Sequence, residues 1–233
     1  MKLSILIPVY NESLTINRVV DAARAAPLPG DVERELIIVD DGSVDGTAET
    51  LEQYRLDPSI RLVRLERNQG KGSAIRAGIP HATGDWILIQ DGDLEYDPSA
   101  YMSIVQAFIE KKVRVVYGSR FLGVIESMGW PYRLVNRMLT AWTNLLYGIS
   151  ITDEATAYKA FETRLLRGLQ LKCRRFEFCP EVTGILSRRK IPIHEVPVRY
   201  LGRTTAQGKK IRWHDAFAAF WVLLRERVVR PDA

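Results

Sequence analysis

The chain has 233 residues, 46% of them hydrophobic and 26% charged, with a formal net charge of +5. That length buries a real core, so an unfolded chain and a disulfide-stapled mini-protein are both excluded. The charge is uneven: residues 1–100 carry 10 Lys/Arg against 17 Asp/Glu, and residues 101–233 carry 23 against 11. An acidic half suits a bound cation, and a basic half suits phosphates or an anionic membrane surface.

In chain order, five runs rich in Ile, Val and Leu read as strands: Leu3–Tyr10, Glu35–Ser43, Ile60–Glu66, Asp85–Asp93 and Val113–Arg120. They are nearly continuous in apolar character, as expected of parallel strands buried on both faces. Helical patterns at Ser13–Ala26, Gly46–Arg55, Gly72–Ala82 and Pro98–Glu110 lie between them. Asn11 or Ser13, and Asp45, are candidate N-caps, and Pro98 suits a first helical position after Asp97. The alternation predicts an α/β, Rossmann-like fold with a mostly parallel central sheet flanked by helices and right-handed crossovers. Ligands then bind at the carboxyl ends of the strands. Three polar clusters sit there: Asn11-Glu12, Asp40-Asp41 and Asp91-Gly92-Asp93. Beyond residue 120 come a helix over Trp130–Tyr147, the segment TDEATAYKAF (152–161), two short helical stretches and a strand over Ile191–Leu201. A polar loop, GRTTAQGKK, then leads to a final amphipathic helix from about Arg212. Without repeats, low-complexity stretches or linkers, residues 1–233 read as one domain.

Other function classes fall away. Cys173 and Cys179 make neither a disulfide framework nor a four-ligand zinc site and suit a reducing compartment, while His81, His194 and His214 are too scattered for a histidine metal site. Leu3–Val9 is too short to span a membrane and has no signal-peptide cleavage pattern. No run approaches ~18 uninterrupted apolar residues. The expectation is a cytoplasmic protein, with no transmembrane segment or signal peptide, at the cytoplasmic face of a membrane that it does not cross. Nucleic acid is excluded as a partner, because the basic residues are not interleaved in a recognition module and the strand-end acids repel a phosphate backbone.

Asp91 and Asp93 flank a glycine directly after a strand, with Glu95 two residues further on. Positions i and i+2 of an extended segment point the same way, so two or three carboxylates converge on one hard cation. Magnesium and manganese keep several waters and substrate phosphates, so two protein carboxylates suffice. The competing reading of a bare Asp-x-Asp is a solvated loop that caps the next helix. In VDDGSVDGT, Asp40 and Asp41 suit hydrogen bonds from ribose hydroxyls or a base amino or imino group, or else a turn with a capping Asp. No G-x-G-x-x-G precedes them and no G-x-x-x-x-G-K-[ST] occurs, which disfavours dinucleotide and P-loop readings.

The ordered motifs IPVYNE, VDDGSVDGT, NQGKGSAIRAG, QDGDLEYDP and GSRF resemble the family 2 glycosyltransferases of the A-type fold. Within them the chain is similar to the dolichyl- and polyprenyl-phosphate glycosyltransferases, the dolichyl-phosphate mannose synthases included, from Leu3 to about Ile211. The resemblance implies a nucleotide-binding half over 1–120, an acceptor half over 121–211 and a C-terminal amphipathic helix over 212–233. It implies donor-nucleotide contacts at Pro8, Tyr10, Glu12, Asp40, Asp41, Lys71 and Asp91. Asp91 and Asp93 match the Asp-x-Asp that holds Mg2+ or Mn2+ against the donor diphosphate. Glu95 stands where the lipid-phosphate enzymes commonly have Gln, and it adds a hard ligand. Arg120 resembles a phosphate-binding arginine with a part in catalysis. Arg203 and Lys209 fall in the segment that approaches the acceptor phosphate, although GRTTAQGKK departs from the Gly-Glu-Ser-Lys pattern of the mannose synthases. Asp153 occupies the region where many family 2 enzymes keep a catalytic base.

The implied reaction is an inverting, metal-dependent transfer of a mannose- or glucose-type sugar from a nucleotide sugar to a polyprenyl phosphate at a cytoplasmic membrane face. A lipid phosphate is already an anion and needs cations more than a base. The alternative is a soluble transferase that glycosylates a saccharide hydroxyl, for which Asp153 or Glu154 serves as base. Arg174, Arg175, Arg188 and Arg189 read as solvated charges, and Trp130, Trp142 and Tyr147 as core packing. Trp213, Phe217, Phe220, Trp221, Leu224 and Val228 form a helical stripe followed by Arg225, Arg227 and Arg230. That composition suits a helix lying on an anionic bilayer over 213–229, or one packed on the core.

Overall fold

In the computed structural model, which describes residues 1–203 and 213–228, strands and helices alternate as the periodicity predicts. In order they are β1 (Lys2–Val9), α1 (Ile16–Ala25), β2 (Glu33–Asp40), α2 (Thr47–Leu51), β3 (Ile60–Arg64), α3 (Lys71–Gly78) and β4 (Trp86–Ile89). There follow α4 (Tyr101–Lys111), β5 (Val115–Glu126), α5 (Trp130–Tyr147), β6 (Lys159–Glu162), α6 (Thr163–Arg167), α7 (Phe178–Arg188), β7 (His194–Leu201) and α8 (Trp213–Val228). Among the described residues they build a seven-stranded sheet in the order β3-β2-β1-β4-β6-β5-β7. β6 runs antiparallel to both neighbours, while the other pairings are parallel. β1 pairs with β2 on one side and β4 on the other, so the crossovers reverse direction there. A crevice opens at the carboxyl ends beside such a reversal.

The sheet is buried on both faces because its strands alternate two sets of apolar side chains. Leu3, Ile5, Ile7 and Leu36 pack with Ile16, Val19 and Val20 of α1 and Tyr101, Ile104 and Phe108 of α4. Leu6, Ile37, Ile87 and Ile89 face the opposite way, with Ala74 and Ile75 of α3 and Val182, Ile185 and Leu186 of α7.

The element boundaries and caps depart from the sequence reading in four places. β6 was hidden in TDEATAYKAF: four residues that pair antiparallel on both edges have no room for a period-2 signal. β5 continues past Arg120 through an irregularity between Ser119 and Val124. There a Cβ on Gly123 would lie 2.1 Å from the Val198 carbonyl oxygen, so only glycine fits. α1 starts at Ile16 because Asn11 adopts φ 51° and its side chain accepts the Val44 N–H at 3.0 Å. Asp45 is not the N-cap itself but accepts N–H groups from Ser13 and Thr47, which ties the turn before α1 to the start of α2. Asp97 does accept the Ser99 N–H, as a cap before Pro98 should.

α8 has two faces. Val222, Leu223 and Glu226 are buried against α5 and α7, while Phe217 is 67% and Trp221 64% exposed. The predicted stripe is therefore mostly the open face. Arg188 is not solvated: it pairs with Glu226 at 3.2 Å beneath α8, and Gly184 admits that approach. Trp130 is 74% exposed rather than core, whereas Trp142 is partly buried beside Phe220.

Candidate active site

At the carboxyl ends of β1 and β2, Pro8 is buried and Tyr10 and Glu12 are half-buried. Asp40 ends β2; its Oδ1 accepts the Ser43 N–H at 2.9 Å. Its Oδ2 is buried without a hydrogen-bond partner and faces Arg64 Nε at 3.4 Å, an ion-pair distance without hydrogen-bond geometry. Asp41 is occupied differently, accepting the Gln69 and Gly70 N–H groups at 2.8 and 2.7 Å. Burial pushes its pKa up. The Asp41 carboxylate, expected to contact the nucleotide, thus holds the loop before α3. That loop passes so close that a Cβ on Gly42 would lie 2.6 Å from the Arg67 backbone, and Gly42 sits at φ +69°. The N–H groups of Gly72 and Ser73 at the start of α3 donate to the Arg175 and Arg174 carbonyls, so the helix end is closed by protein.

After β4, the Gln90 side chain is fixed by the buried hydroxyls of Tyr101 and Tyr158, which donate to its Oε1 at 2.7 and 2.5 Å. Asp91 forms an ion pair with Lys71. Burial works against the lysine charge, but Asp91, Cys179 and Asp93 together outweigh it and raise the Lys71 pKa. Asp93 accepts the Glu95 N–H at 3.1 Å and meets no ion-pair partner among the described residues. Burial, and then the charges of Asp91 and Glu95, push its pKa up to about 7. A carboxylate that disfavoured in its charged form is one the site leaves short of positive charge. Glu95 is not aimed at the same point: it accepts the Tyr200 hydroxyl at 2.9 Å and the Arg203 N–H at 2.6 Å. Among the described residues no three His, Cys, Asp or Glu side chains converge on a metal position. The expected third ligand is thus a brace for the end of β7. Asp91 and Asp93 remain as a two-carboxylate set, which fits an ion that keeps waters and substrate oxygens.

Arg120 and Asp153 are brought together, and against each other. Arg120 Nε and Nη2 both donate to the Asp153 carboxylate at 2.7 Å, and the Arg120 backbone N–H adds a third bond at 3.0 Å. The side chains are 6% and 0% exposed. Despite burial, Asp153 holds Arg120 firmly protonated. Both oxygens of Asp153, the expected base, therefore face one guanidinium. Glu154, the alternative base, is fully buried with neither carboxylate oxygen hydrogen-bonded, and burial raises its pKa.

Beside this pair, β5 and α5 enclose a cavity of about 340 Å3 lined by Arg120, Arg133, Arg137 and the apolar Phe121, Ile125 and Leu134. Arg120 and Arg137 lie over the Phe121 ring at 6.0 and 5.4 Å. Among the described residues no carboxylate reaches Arg133 or Arg137 within ion-pair distance. Sequence reading missed both arginines; their i, i+4 spacing was the available signal. Arg203, expected at the acceptor phosphate, lies beside Glu12, with Nη1 3.2 Å from its carboxylate. Lys209 lies outside the described residues, as do Lys210 and Arg230.

Comparison with known proteins agrees with this architecture. Residues 4–169 match the family Glycosyl transferase family 2. An undecaprenyl-phosphate 4-deoxy-4-formamido-L-arabinose transferase from Edwardsiella ictaluri is 29% identical over 211 residues, covering 88% of this chain and 62% of that protein. A dodecaprenyl-phosphate galacturonate synthase from Rhizobium johnstonii is 29% identical over 201 residues, covering 82% and 57%. The chain thus spans about three fifths of the length of these curated relatives. Among solved structures, a UDP complex of glucosyl-3-phosphoglycerate synthase from Mycobacterium tuberculosis superposes with TM-score 0.73 at 20% identity, covering 100% of this chain and 82% of that one. The same enzyme has been crystallised with Mn2+ and with Mg2+. Mannosyl-3-phosphoglycerate synthase from Rubrobacter xylanophilus gives TM-score 0.74 at 15% identity, covering 97% and 72%. The fold is therefore the A-type glycosyltransferase fold.

Proposed function

The chain belongs to glycosyl transferase family 2, and on that premise we propose that it moves a sugar from a nucleoside-diphosphate sugar to a polyprenyl phosphate, with inversion at the anomeric carbon. The observation that carries the acceptor assignment is the cavity between β5 and α5. Three arginines suit a phosphate, while Phe121, Ile125 and Leu134 suit the hydrocarbon attached to it. The polyprenyl-phosphate substrates named for both curated relatives support the same acceptor. At the donor end, Asp40 Oδ2, which accepts no hydrogen bond within the protein, accepts from a base or ribose group, beside Pro8, Tyr10 and Glu12. Lys71 and Asp91 sit where the diphosphate and sugar approach. Asp93, with Asp91, would hold Mg2+ or Mn2+, and such an ion neutralises charge on the departing diphosphate.

The reading includes a peripheral position on an anionic bilayer. Among the described residues no helix is long and apolar enough to cross a membrane. α5 exposes Trp130, Leu134, Met138 and Leu145, and α8 exposes Phe217, Trp221 and Val228, with Arg133, Arg137 and Arg227 on the same two helices. Large aromatic and aliphatic side chains beside arginine are the composition of interfacial helices.

The test is a screen of labelled GDP-mannose, UDP-glucose, UDP-N-acetylglucosamine and UDP-galacturonate with polyprenyl phosphate and Mg2+ or Mn2+. Label in the lipid extract is the expected result, and the donor that delivers it identifies the sugar. Label appearing in a water-soluble saccharide would overturn the acceptor assignment, and no transfer from any donor would overturn the activity.

A further inference from the structure

We propose that Asp153 is a positioning residue, which fixes Arg120 for an acceptor that arrives already ionised, and that it takes no proton in the reaction. The inference rests on the transferase reading above and assigns a role within it. Arg120 commits its backbone N–H, Nε and Nη2 to Asp153, which engages both carboxylate oxygens. Among the described residues Nη1 makes no hydrogen bond, and Arg120 lines the cavity whereas Asp153 does not. The Tyr200 ring, 5.2 Å from the guanidinium, limits its remaining freedom.

Asp153 is itself held. Glu195 on β7 accepts the N–H groups of Thr152 and Asp153 at 2.7 and 3.1 Å, and the Thr152 hydroxyl meets Ser119 Oγ at 2.6 Å. The line of support runs from β7 through Asp153 to the one arginine of the cavity that is almost wholly buried. The titratable groups facing Asp153 are Arg120 on β5, Tyr96 after β4, Glu154 and Lys159 around the start of β6, and Glu195 on β7. None of them offers an exposed, unpaired carboxylate to the cavity.

Proton balance separates the two classes of acceptor. With a phosphomonoester, an oxygen lone pair forms the bond to the anomeric carbon as the anomeric C–O bond breaks. That electron pair leaves on the nucleoside diphosphate. A dianionic monoester becomes a monoanionic diester, the departing diphosphate gains the charge, and no proton changes hands. A hydroxyl acceptor releases a proton in the same step, and the paired Asp153 is poorly placed to take it. A guanidinium held on two edges presents the third to phosphate without reorganising.

Farnesyl phosphate serves as a short probe, both for equilibrium binding and as acceptor over pH 5–8, with cooperative thermal unfolding as the fold control. Asp153→Asn should weaken binding and raise the acceptor KM about 10- to 100-fold, the worth of a misaligned hydrogen bond to charge. The acid limb near pH 6, which belongs to the acceptor's second ionisation, should persist in the variant. Arg120→Lys with Asp153→Asn should be no worse than Arg120→Lys alone, because Asp153 acts through Arg120. Glu195→Gln leaves the ion pair in place and should raise KM about three- to tenfold, which keeps the test open where Asp153→Asn does not fold. A 1000-fold loss of kcat with unchanged KM and a vanished acid limb would overturn the proposal. So would equal farnesyl phosphate affinity in wild type and variants, a result that counts whether or not any donor supports transfer.

Discussion

At the carboxyl ends of β1, β2 and β4 the carboxylates are largely consumed by the protein's own donors. Asp41 holds two N–H groups of the loop before α3, Glu95 holds Tyr200 and Arg203, and Asp91 holds Lys71. Between β5 and α5 the order is reversed: Arg133 and Arg137 meet no carboxylate among the described residues, and the helix that carries them exposes Trp130, Leu134 and Met138. Charge that is paired internally builds the frame, and charge left over is what remains for substrates. By that measure the informative groups are the exceptions within each region. They are Asp93 after β4 and, among the described residues, Arg133 and Arg137 on α5.

The contrast can be broken at its strongest point first. Asp93→Ala should lower transfer with Mg2+ or Mn2+ by about 1000-fold or more, measured as initial rate, since charge on the departing diphosphate loses its counter-charge. Full turnover would return Asp93 to the frame. Replacing Arg133 and Arg137 together by Met should raise the acceptor KM about 10- to 100-fold and leave nucleotide affinity unaltered, as two lost charge-assisted contacts require. A matching loss of nucleotide affinity would mean that the two regions are not separate. Gly42→Ala should cost about 2 kcal/mol in urea unfolding, because φ +69° and the Arg67 backbone at 2.6 Å both oppose a Cβ. Trp130→Ser should change stability by under about 0.5 kcal/mol, yet reduce binding to anionic vesicles roughly tenfold. An unaltered partition would place the membrane contact elsewhere.

How legible the molecule was depends on how far apart in sequence the partners lie. Helices such as Trp130–Tyr147, and strands such as Ile60–Arg64, follow from periodicity within a few residues of each position. The strand-end acids stand out for the same local reason. Which of their oxygens is free does not, because the partners are remote: Gln69 and Gly70 lie 28 and 29 residues from Asp41. Arg120 and Asp153 are 33 residues apart, and nothing in either segment announces that each will neutralise the other. Glu95 looked like a third ligand because i and i+2 share a direction in extended chain, but the turn after Asp93 carries it to Tyr200 and Arg203 instead. Arg133 and Arg137 were visible as letters and unremarkable until α5 was set beside β5.

The four-residue strand β6 governs the order in which these parts come into being. Among the described strands, β4 and β5 do not pair with each other; they are joined through β6, which forms three residue pairs on each side. The strand that carries Asp91 and Asp93 at its end and the strand that carries Arg120 therefore take their relative position from a segment that follows α5 in the chain. Non-local pairing of this kind is slow to form, since loop closure must come before any contact rewards it. A nascent chain can build β1 to β4 early, but the two regions acquire a fixed separation only when residues 159–162 are seated, with β7 then extending the far edge.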